Sequence, residues 1–207
     1  LLALTTDPAG AIIYGAGERL FRSLDSGANW KILKPLGLKN PNLQTFAFAP
    51  GAAGGTPGVL FAGTGPLPGA PVNASAGIGG VYKSTDNGAN WVESGEGLPS
   101  TNRFVQTLLV DPRTPTTLYA GTGIVFMLGF GDGVYKSTDG GAHWLPANTN
   151  LRNTDVRGLV IDTKAPQTLY AGTDRGVFKS LNGGASWASA SKGLPTGFIN
   201  AFVMEPH

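Results

Sequence analysis

Short apolar runs alternate with polar positions along the whole chain, and Gly, Pro, Asn or Asp separate one run from the next. The run at 105–110 reads Val-Gln-Thr-Leu-Leu-Val, 117–121 reads Thr-Leu-Tyr-Ala-Gly, and 133–137 reads Gly-Val-Tyr-Lys-Ser. Runs of this length, rich in β-branched and aromatic residues and bounded by turn formers, are typical of β-strands. The pattern therefore predicts an all-β chain.

One turn sequence, Ser-x-Asp-x-Gly-x-x-Trp, occurs four times, with Asn182 in place of Asp in the fourth copy. We call these segments the Trp turns: 23–30, 84–91, 137–144 and 180–187. Their Trp residues stand 61, 53 and 43 positions apart, close to the roughly 40–50 residues of a four-stranded propeller blade plus insertions. We predict blades at approximately 1–38, 39–99, 100–151 and 152–194, with 195–207 as the first strand of a further blade.

Each Trp turn has a structural role that needs no ligand. A short acidic side chain accepts hydrogen bonds from the backbone N–H groups of its own turn. Gly supplies a positive φ, and the Trp ring folds back under the hairpin. The residues predicted to build the turns are Asp25, Trp30, Asp86, Trp91, Asp139, Trp144, Asn182 and Trp187.

The turn Ser-(Thr/Leu)-Asp-x-Gly-Ala-x-Trp resembles the Asp-box of bacterial-neuraminidase-type (BNR) repeats. With the Gly-Val-Tyr-Lys and Leu-Tyr-Ala-Gly-Thr segments before it, the repeat is similar to the propellers of xyloglucanase-type glycoside hydrolases, sortilin-like proteins and photosystem II stability and assembly factors. The resemblance implies a β-propeller and an extracytoplasmic location: secreted, periplasmic or cell-surface. It leaves function open, because these families share the blade and differ in their loops.

The number of predicted inner strands exceeds the number of complete blades. Five segments read as inner strands, against four second, third and fourth strands: 1–6, 43–49, 105–110, 156–161 and 199–204. Most propellers have more than four blades. We therefore expect a segment of a larger propeller, with the ring completed by further sequence or by another chain. The chain also begins at Leu1 rather than Met, as a processed or partial chain would.

One face of the predicted propeller carries the loops between second and third strands and the loops between blades. We call it the loop-rich face; the Trp turns lie on the other face. Insertions lengthen two of its loops, 65–79 and 123–133, and the second is unusually apolar. That insertion forms either satellite core or a partner-contact patch.

Gln44, Gln106, Arg157 and Asn200 occupy equivalent positions and could ring the channel mouth, where Arg and amide groups suit carboxylates or sugar hydroxyls. The binding-face candidates are Arg103, Phe104, Phe126, Met127, Phe130, Arg152, Asp155, Arg157 and Asn200.

Charge and composition exclude several function classes. Fifteen basic and thirteen acidic residues give a net charge of +2 with no dense basic run, which argues against nucleic acid. No run approaches the roughly 18 apolar residues of a membrane-spanning helix. The chain has no Cys, and His143 and His207 are isolated. We therefore predict neither a metal site nor a cofactor.

Glycoside hydrolysis needs two carboxylates across a cleft. The Trp turns use three Asp residues, and Asp7, Asp111, Asp162 and Glu205 end inner strands on the same opposite face. The carboxylates that could face the loop-rich side are then Glu18, Glu96, Asp132, Asp155 and Asp174. A pair such as Asp132 with Asp155 is conceivable but belongs to no local motif. The favoured interpretation is a non-catalytic binding or scaffolding propeller that presents its loop-rich face to a protein partner or complex. The alternative is a glycoside hydrolase or carbohydrate-binding module of the xyloglucanase-like type, with polysaccharide as the ligand.

Overall fold

The computed structural model describes residues 3–6, 12–16, 19–40, 42–51, 58–65, 79–99, 104–123, 131–151, 154–195, 197–200 and 203–204. Sixteen strands in these ranges form four antiparallel sheets, each with its four strands in sequence order. No helix in this part of the chain is long and apolar enough to cross a membrane. The architecture is all-β, as the sequence pattern predicts.

The four sheets repeat the same strand plan. The first comprises β1 (Ala3–Thr6), β2 (Ile13–Ala16), β3 (Leu20–Ser23) and β4 (Lys31–Leu33). The second comprises β5 (Leu43–Ala49), β6 (Val59–Thr64), β7 (Gly80–Ser84) and β8 (Val92–Glu93). The third comprises β9 (Val105–Val110), β10 (Leu118–Thr122), β11 (Val134–Ser137) and β12 (Leu145–Pro146). The fourth comprises β13 (Val156–Ile161), β14 (Leu169–Thr173), β15 (Gly176–Ser180) and β16 (Ala188–Ser189).

The sheets stand side by side around a common axis. The first strands of successive sheets contact one another in the order β1, β5, β9, β13, while the short fourth strands lie at the outside. Among the described strands, β1 and β13 have no comparable contact. This is the arrangement of successive blades in a β-propeller segment, which confirms the predicted fold class.

Within the described residues the core consists of three apolar clusters, one between each pair of neighbouring blades. Each cluster contains the Trp of the later blade's Trp turn: Trp91, Trp144 and Trp187. A single four-stranded sheet cannot bury both of its faces, so neighbouring blades supply the missing half of each core. Stacking is therefore the main source of stability in this fold.

Two glycines let neighbouring blades approach closely. A Cβ at Gly63 would lie 2.7 Å from Val105 Cγ1, and a Cβ at Gly121 would lie 2.7 Å from Val156 Cγ1. In each case the first strand of the next blade packs directly on the glycine backbone. The recurring Ala-Gly-Thr sequence at the end of the second strand thus has a packing cause.

The predicted extra inner strand at 199–204 stays a prediction. Its described residues, 199–200 and 203–204, belong to none of the sixteen strands, and 201–202 lie outside the described residues. The Ile199 N–H donates to Thr173 O at 3.0 Å, at the end of β14. This segment therefore returns to the loop-rich end of the fourth blade.

Candidate functional site

A β-bulge recurs at the loop-rich end of three inner strands. The pairing register skips Gln44 in β5, Gln106 in β9 and Arg157 in β13, each opposite the Gly-Thr pair that ends the neighbouring second strand. A bulge leaves one residue unpaired and re-aims its side chain, and bulges are common at barrel rims and beside active sites. The fold therefore places one long polar side chain at the same height in each of these three blades. We call Gln44, Gln106 and Arg157 the bulge rim.

Local hydrogen bonds hold the three side chains of the bulge rim. Gln44 Nε2 donates to Asn42 Oδ1 at 2.9 Å, and Gln106 Nε2 donates to Gly123 O at 3.2 Å. Arg157 Nη1 donates to Asn200 Oδ1 at 2.9 Å. All three side chains are half-buried. They are fixed in position while keeping part of their surface in solvent.

Arg157 has a second contact that its counterparts lack. Its Cζ atom lies 4.3 Å from the centroid of the Phe198 ring, within cation–π range. Phe198 and Asn200 are themselves exposed and follow the fourth blade. The guanidinium is therefore held between an aromatic face and an amide, with further N–H donors available for a planar acceptor such as a carboxylate.

The hairpins below the rim are closed by buried threonines. Thr64 Oγ1 accepts from Gly80 N–H at 2.9 Å, Thr122 Oγ1 accepts from Asp132 N–H at 3.1 Å, and Thr173 Oγ1 accepts from Arg175 N–H at 2.9 Å. A satisfied buried hydroxyl fixes the start of each hairpin loop. These threonines give the rim a rigid base, and they explain the Thr of the Leu-Tyr-Ala-Gly-Thr repeat.

Asp155 and Asp174 come together where the third and fourth blades meet, next to the residue that precedes Asp132. The Asp155 N–H donates to Asp174 Oδ1 at 3.1 Å, and Asp174 N–H donates to Asp155 O at 3.2 Å. Gly131, the neighbour of Asp132, packs so closely that a Cβ there would lie 2.7 Å from Asp155 Oδ1. Burial raises the pKa of Asp132. The Asp132 carboxyl therefore takes up a proton more readily than usual.

Glu96, another of the predicted carboxylates, does not join this corner. Glu96 lies beside the Trp turn of the third blade, with its Oε2 3.6 Å from His143 Nε2. Glu18 lies outside the described residues. No group of three His, Asp or Glu within the described ranges could hold a metal ion.

Two of the predicted binding-face residues are buried. Phe104 is 3% exposed and Asp155 is fully buried, so neither side chain is accessible to a partner in this structure. Both directly precede an inner strand. Arg157 and Asn200 are accessible and touch each other. The other candidates lie outside the described residues: Arg103, Phe126, Met127, Phe130 and Arg152.

The Trp turns on the opposite face are hydrogen-bonded within themselves. Ser84 Oγ accepts from Gly88 N–H at 2.9 Å, and Asp86 Oδ1 accepts from Asn90 N–H at 2.8 Å. The same two bonds recur in the other three turns. The amide and backbone donors of Asn29 and the Ser23 hydroxyl lower the pKa of Asp25 to about 2. These side chains are therefore occupied by the turn itself.

The contact between Phe198 and Arg157 was missed by sequence reasoning. It requires the segment after the fourth blade to fold back over β13, which no local pattern shows. The available signal was the equivalence of Phe104-Val105-Gln106 with Phe198-Ile199-Asn200. Phe104 is buried and Phe198 is exposed. Residues at equivalent positions of the repeat therefore differ in exposure.

Solved structures share this fold at low sequence identity. The GH74 xyloglucanase from Xanthomonas campestris matches 95% of this chain and 31% of its own, with a TM-score of 0.66 and 20% identity. The extracellular domain of BT4673 from B. thetaiotaomicron matches 96% and 24%, with a TM-score of 0.62 and 16% identity. YCF48 from Cyanidioschyzon merolae matches 91% and 55%, with a TM-score of 0.52 and 15% identity.

The class of protein follows from the blades, the bulge rim and these likenesses: the molecule is a β-propeller segment of four blades. The resemblance of its repeat to xyloglucanase-type propellers thus holds for the fold. No protein-family model matches the chain, and no curated protein matches its sequence. The chain spans less than a third of the length of the GH74 xyloglucanase.

Proposed function

We propose that this propeller is a non-catalytic binding or scaffolding module whose loop-rich face docks a protein partner. The observation that carries the proposal is the Arg157 guanidinium, held at a bulge by Asn200 and stacked on the exposed Phe198. Arg and aromatic residues are enriched among the residues that dominate protein interfaces. A pre-organised guanidinium suits a carboxylate on an acidic partner surface, because little side-chain freedom is lost on binding.

The acidic corner fits a structural role better than glycoside hydrolysis. A glycosidase needs two carboxylates that face the substrate from opposite sides of the scissile bond. Asp155 is fully buried, and its backbone is bonded to Asp174 in both directions. This arrangement ties the second and third strands of the fourth blade to its inner strand.

A carbohydrate function is the second candidate, and two observations favour it. Burial raises the pKa of Asp132, as a general acid requires, and Phe198 offers an exposed aromatic ring near polar donors. Like the GH74 xyloglucanase, this chain would then act on or hold a polysaccharide. Either function is compatible with the extracytoplasmic location that we propose from the resemblance of the repeat.

The first test is a quantitative pull-down from the native source with wild type and Arg157→Ala. We expect the variant to lose roughly tenfold or more of partner binding, the usual effect of removing an interface anchor. Arg113→Ala is the matched control, since Arg113 is an exposed Arg in the hairpin between β9 and β10, at the opposite end of the blade. Equal capture by all three proteins would refute docking at the bulge rim.

The carbohydrate candidate is tested separately with a glycan array and a reducing-sugar assay. Binding of β-glucan oligosaccharides that Phe198→Ala abolishes would favour carbohydrate recognition over a protein partner. Sugar release that Asp132→Asn abolishes would establish an enzyme and overturn the proposal. We expect neither signal.

A further inference from the structure

Neighbouring blades share one backbone contact beside their fourth strands, and it recurs in all three internal interfaces. The Trp N–H of the later blade donates to a carbonyl of the earlier blade: Trp91 to Leu36 and Trp144 to Glu96, both at 2.8 Å, and Trp187 to Thr149 at 3.1 Å. Each bond accompanies a parallel bridge between the two blades. We call these contacts the first, second and third outer bridges.

The residue after the accepting carbonyl decides how closely two blades approach at an outer bridge. In the first two bridges this residue is a glycine with positive φ: Gly37 at 78° and Gly97 at 88°. A Cβ at Gly37 would lie 2.1 Å from Trp91 O, and a Cβ at Gly97 would lie 2.2 Å from Trp144 O. Both distances are far inside van der Waals contact. The close approach of these blades therefore requires glycine.

The third outer bridge has Asn150 at the same position. Asn150 keeps the positive φ, at 68°, and the Leu151 N–H donates to Asn148 O at 2.8 Å, so the turn itself is formed. Asn150 has a Cβ, however, and the carbonyl of Trp187 must lie further from it than the first two bridges allow. The longer hydrogen bond of the third bridge agrees with this wider spacing.

The residues that face each other across the bridges differ as well. In the second bridge Glu96 faces His143, and Glu96 Oε2 lies 3.6 Å from His143 Nε2. In the third bridge Thr149 faces Ser186, and neither side chain carries a charge. An exposed ion pair contributes only a little stability. Its loss therefore adds to the effect of Asn150 without replacing it.

Other side-chain contacts also support the first two interfaces. Beside the first bridge, Lys39 Nζ lies 3.0 Å from Glu93 Oε1. Across the second interface, Ser94 Oγ donates to Gly141 O at 2.7 Å. The counterpart of this serine in the third interface is Ala147, which has no hydroxyl to donate. The third outer bridge thus depends on fewer polar contacts than the second.

The rest of the third interface is as closely packed as the others. A Cβ at Gly121 would lie 2.7 Å from Val156 Cγ1, so the inner strands of the third and fourth blades are in tight contact. Tyr119 Oη and Lys136 Nζ both donate to Gly183 O, at 3.2 and 3.1 Å, and hold the Trp turn of the fourth blade. The weakness is therefore confined to the outer bridge.

We propose that the third outer bridge is a seam, where the fourth blade opens from the third while the contact between their inner strands acts as the hinge. Opening releases the Trp187 N–H and Thr149 O and widens the angle between the two blades, and the sheet of each blade stays intact. The free energy of local opening varies across a protein, and the weakest contacts open first. The seam results from the residue at position 150 and is independent of the proposed function.

The first test measures hydrogen exchange of single backbone amides in the 207-residue chain by NMR. We expect the protection factor of the Trp187 amide to be roughly tenfold lower than those of Trp91 and Trp144, because local opening exposes the weakest bridge most often. Trp91 is the closest comparison, since the first interface also joins an end blade of this chain to an inner one. Equal protection of Trp91 and Trp187 would overturn the proposal.

The extent of opening is read from the sheet of the fourth blade. Amides in β14, which is bonded to a strand on either side, should exchange more slowly than the Trp187 amide, because the blade opens without unfolding. If the amides of β14 and Trp187 exchange together, the whole blade unfolds, and the hinge is refuted.

Reciprocal variants test the role of position 150. Asn150→Gly should raise the protection of the Trp187 amide roughly fivefold or more, because it removes the atoms that hold the blades apart. Gly37→Asn should lower the protection of the Trp91 amide by a similar factor. Asn150→Gly only removes atoms from an exposed turn, so it is expected to fold even if Gly37→Asn does not. Unchanged protection of Trp187 in Asn150→Gly would refute the seam.

A third variant separates the interface from the turn itself. Gly193 occupies the same turn position with φ 86°, and a Cβ there meets nothing within 4 Å. In Gly193→Asn, the amide of Leu194, which donates to Ser191 O at 3.0 Å, should change its protection by less than about twofold, since Asn is tolerated in this conformation. A loss as large as that at Trp91 in Gly37→Asn would assign the effect to the turn and overturn the proposal.

Discussion

At the scale of single residues, the Trp turns keep the same backbone hydrogen bonds whether the turn position holds Asp or Asn. In the second turn, Asp86 Oδ2 accepts from Asn90 Nδ2 at 2.6 Å. In the fourth turn the pair is reversed, because Asn182 Nδ2 donates to Ser186 Oγ at 2.8 Å. A carboxylate has only acceptors and needs a donor four residues later, whereas an amide can supply the donor itself. The substitution of Asp by Asn is therefore matched by an acceptor at the facing position.

The third turn has a titratable donor at this position. His143 Nδ1 lies 2.6 Å from Asp139 Oδ2, and the Asp139 carboxylate, with a smaller contribution from Glu96, raises the pKa of His143 above its usual 6.5. The His143 backbone and ring, followed by Ser137, hold the pKa of Asp139 well below its usual value. The pair is thus fully charged between the ordinary pKa values of a carboxyl and an imidazole.

We expect the stabilising effect of this pair to depend on pH. A raised folded-state pKa stabilises the fold below the unfolded-state pKa, and the contribution is lost as pH rises through the folded value. The reference is His143→Asn, which reproduces the first two turns without an imidazole. The melting temperature of wild type minus that of the variant should be larger at pH 5 than at pH 8. A difference that is flat or grows with pH would contradict the ion pair.

The hydrogen bonds of the Trp turns could be predicted from the sequence because all residues of a turn lie close together in the chain. The Ser, Asp, Gly and Trp positions and their roles follow from spacings of two to seven residues, and the predicted bonds to the Asp side chain are present in the structure. The exposure of individual loop residues could not be predicted in this way. Phe104 and Asp155 are both buried, and Asp155 packs against Gly123 and Gly131 of the third blade, which is a tertiary effect.

At the scale of elements, strand pairing adds features that the strand sequences do not show. The sequence indicated that Gln44, Gln106 and Arg157 are equivalent, but a bulge is a property of register between two strands. Only the paired strand shows that one residue is skipped opposite each Gly-Thr. The glycines of that pair have a second role, since the next blade packs against them.

We expect Gly121→Ala to destabilise the fold by about 1–3 kcal/mol, the usual cost of overpacking a tight contact. The added methyl would lie 2.6 Å from Thr107 Cγ2 and 2.7 Å from Val156 Cγ1, on two inner strands that cannot both move aside. Gly80→Ala is the matched control, because Gly80 is also a buried strand glycine but has nothing within 4 Å of an added Cβ. Urea unfolding of both variants measures the difference. Equal stabilities would show that blade spacing is not set by this glycine.

At the scale of the whole molecule, the blades form a one-dimensional array whose stability is the sum of blade and interface contributions. The repeat in the sequence predicted this plan, because four equivalent turns require four equivalent sheets. The repeat could not predict which neighbour each Trp contacts. In the structure the rings of Trp91, Trp144 and Trp187 pack against the preceding blade, whereas Trp30 is exposed, so the four rings have unequal environments despite equal sequences.

This inequality leads to a prediction about two residues with the same motif position. Trp144 is 1% exposed, packs between the second and third blades, and donates from Nε1 to Ser94 O of the preceding blade at 2.7 Å. Its replacement by Ala should cost about 3–5 kcal/mol, as for other large aromatic residues in cores.

Trp30 makes no such inter-blade bond in the described structure, and Trp30→Ala should cost roughly 1 kcal/mol or less. Urea unfolding measures both costs. Because both variants lose the same atoms and the same bond within the turn, the difference between them isolates the contribution of one blade interface. Similar costs for the two substitutions would mean that each Trp stabilises only its own hairpin, and the stacking account of this fold would then be wrong.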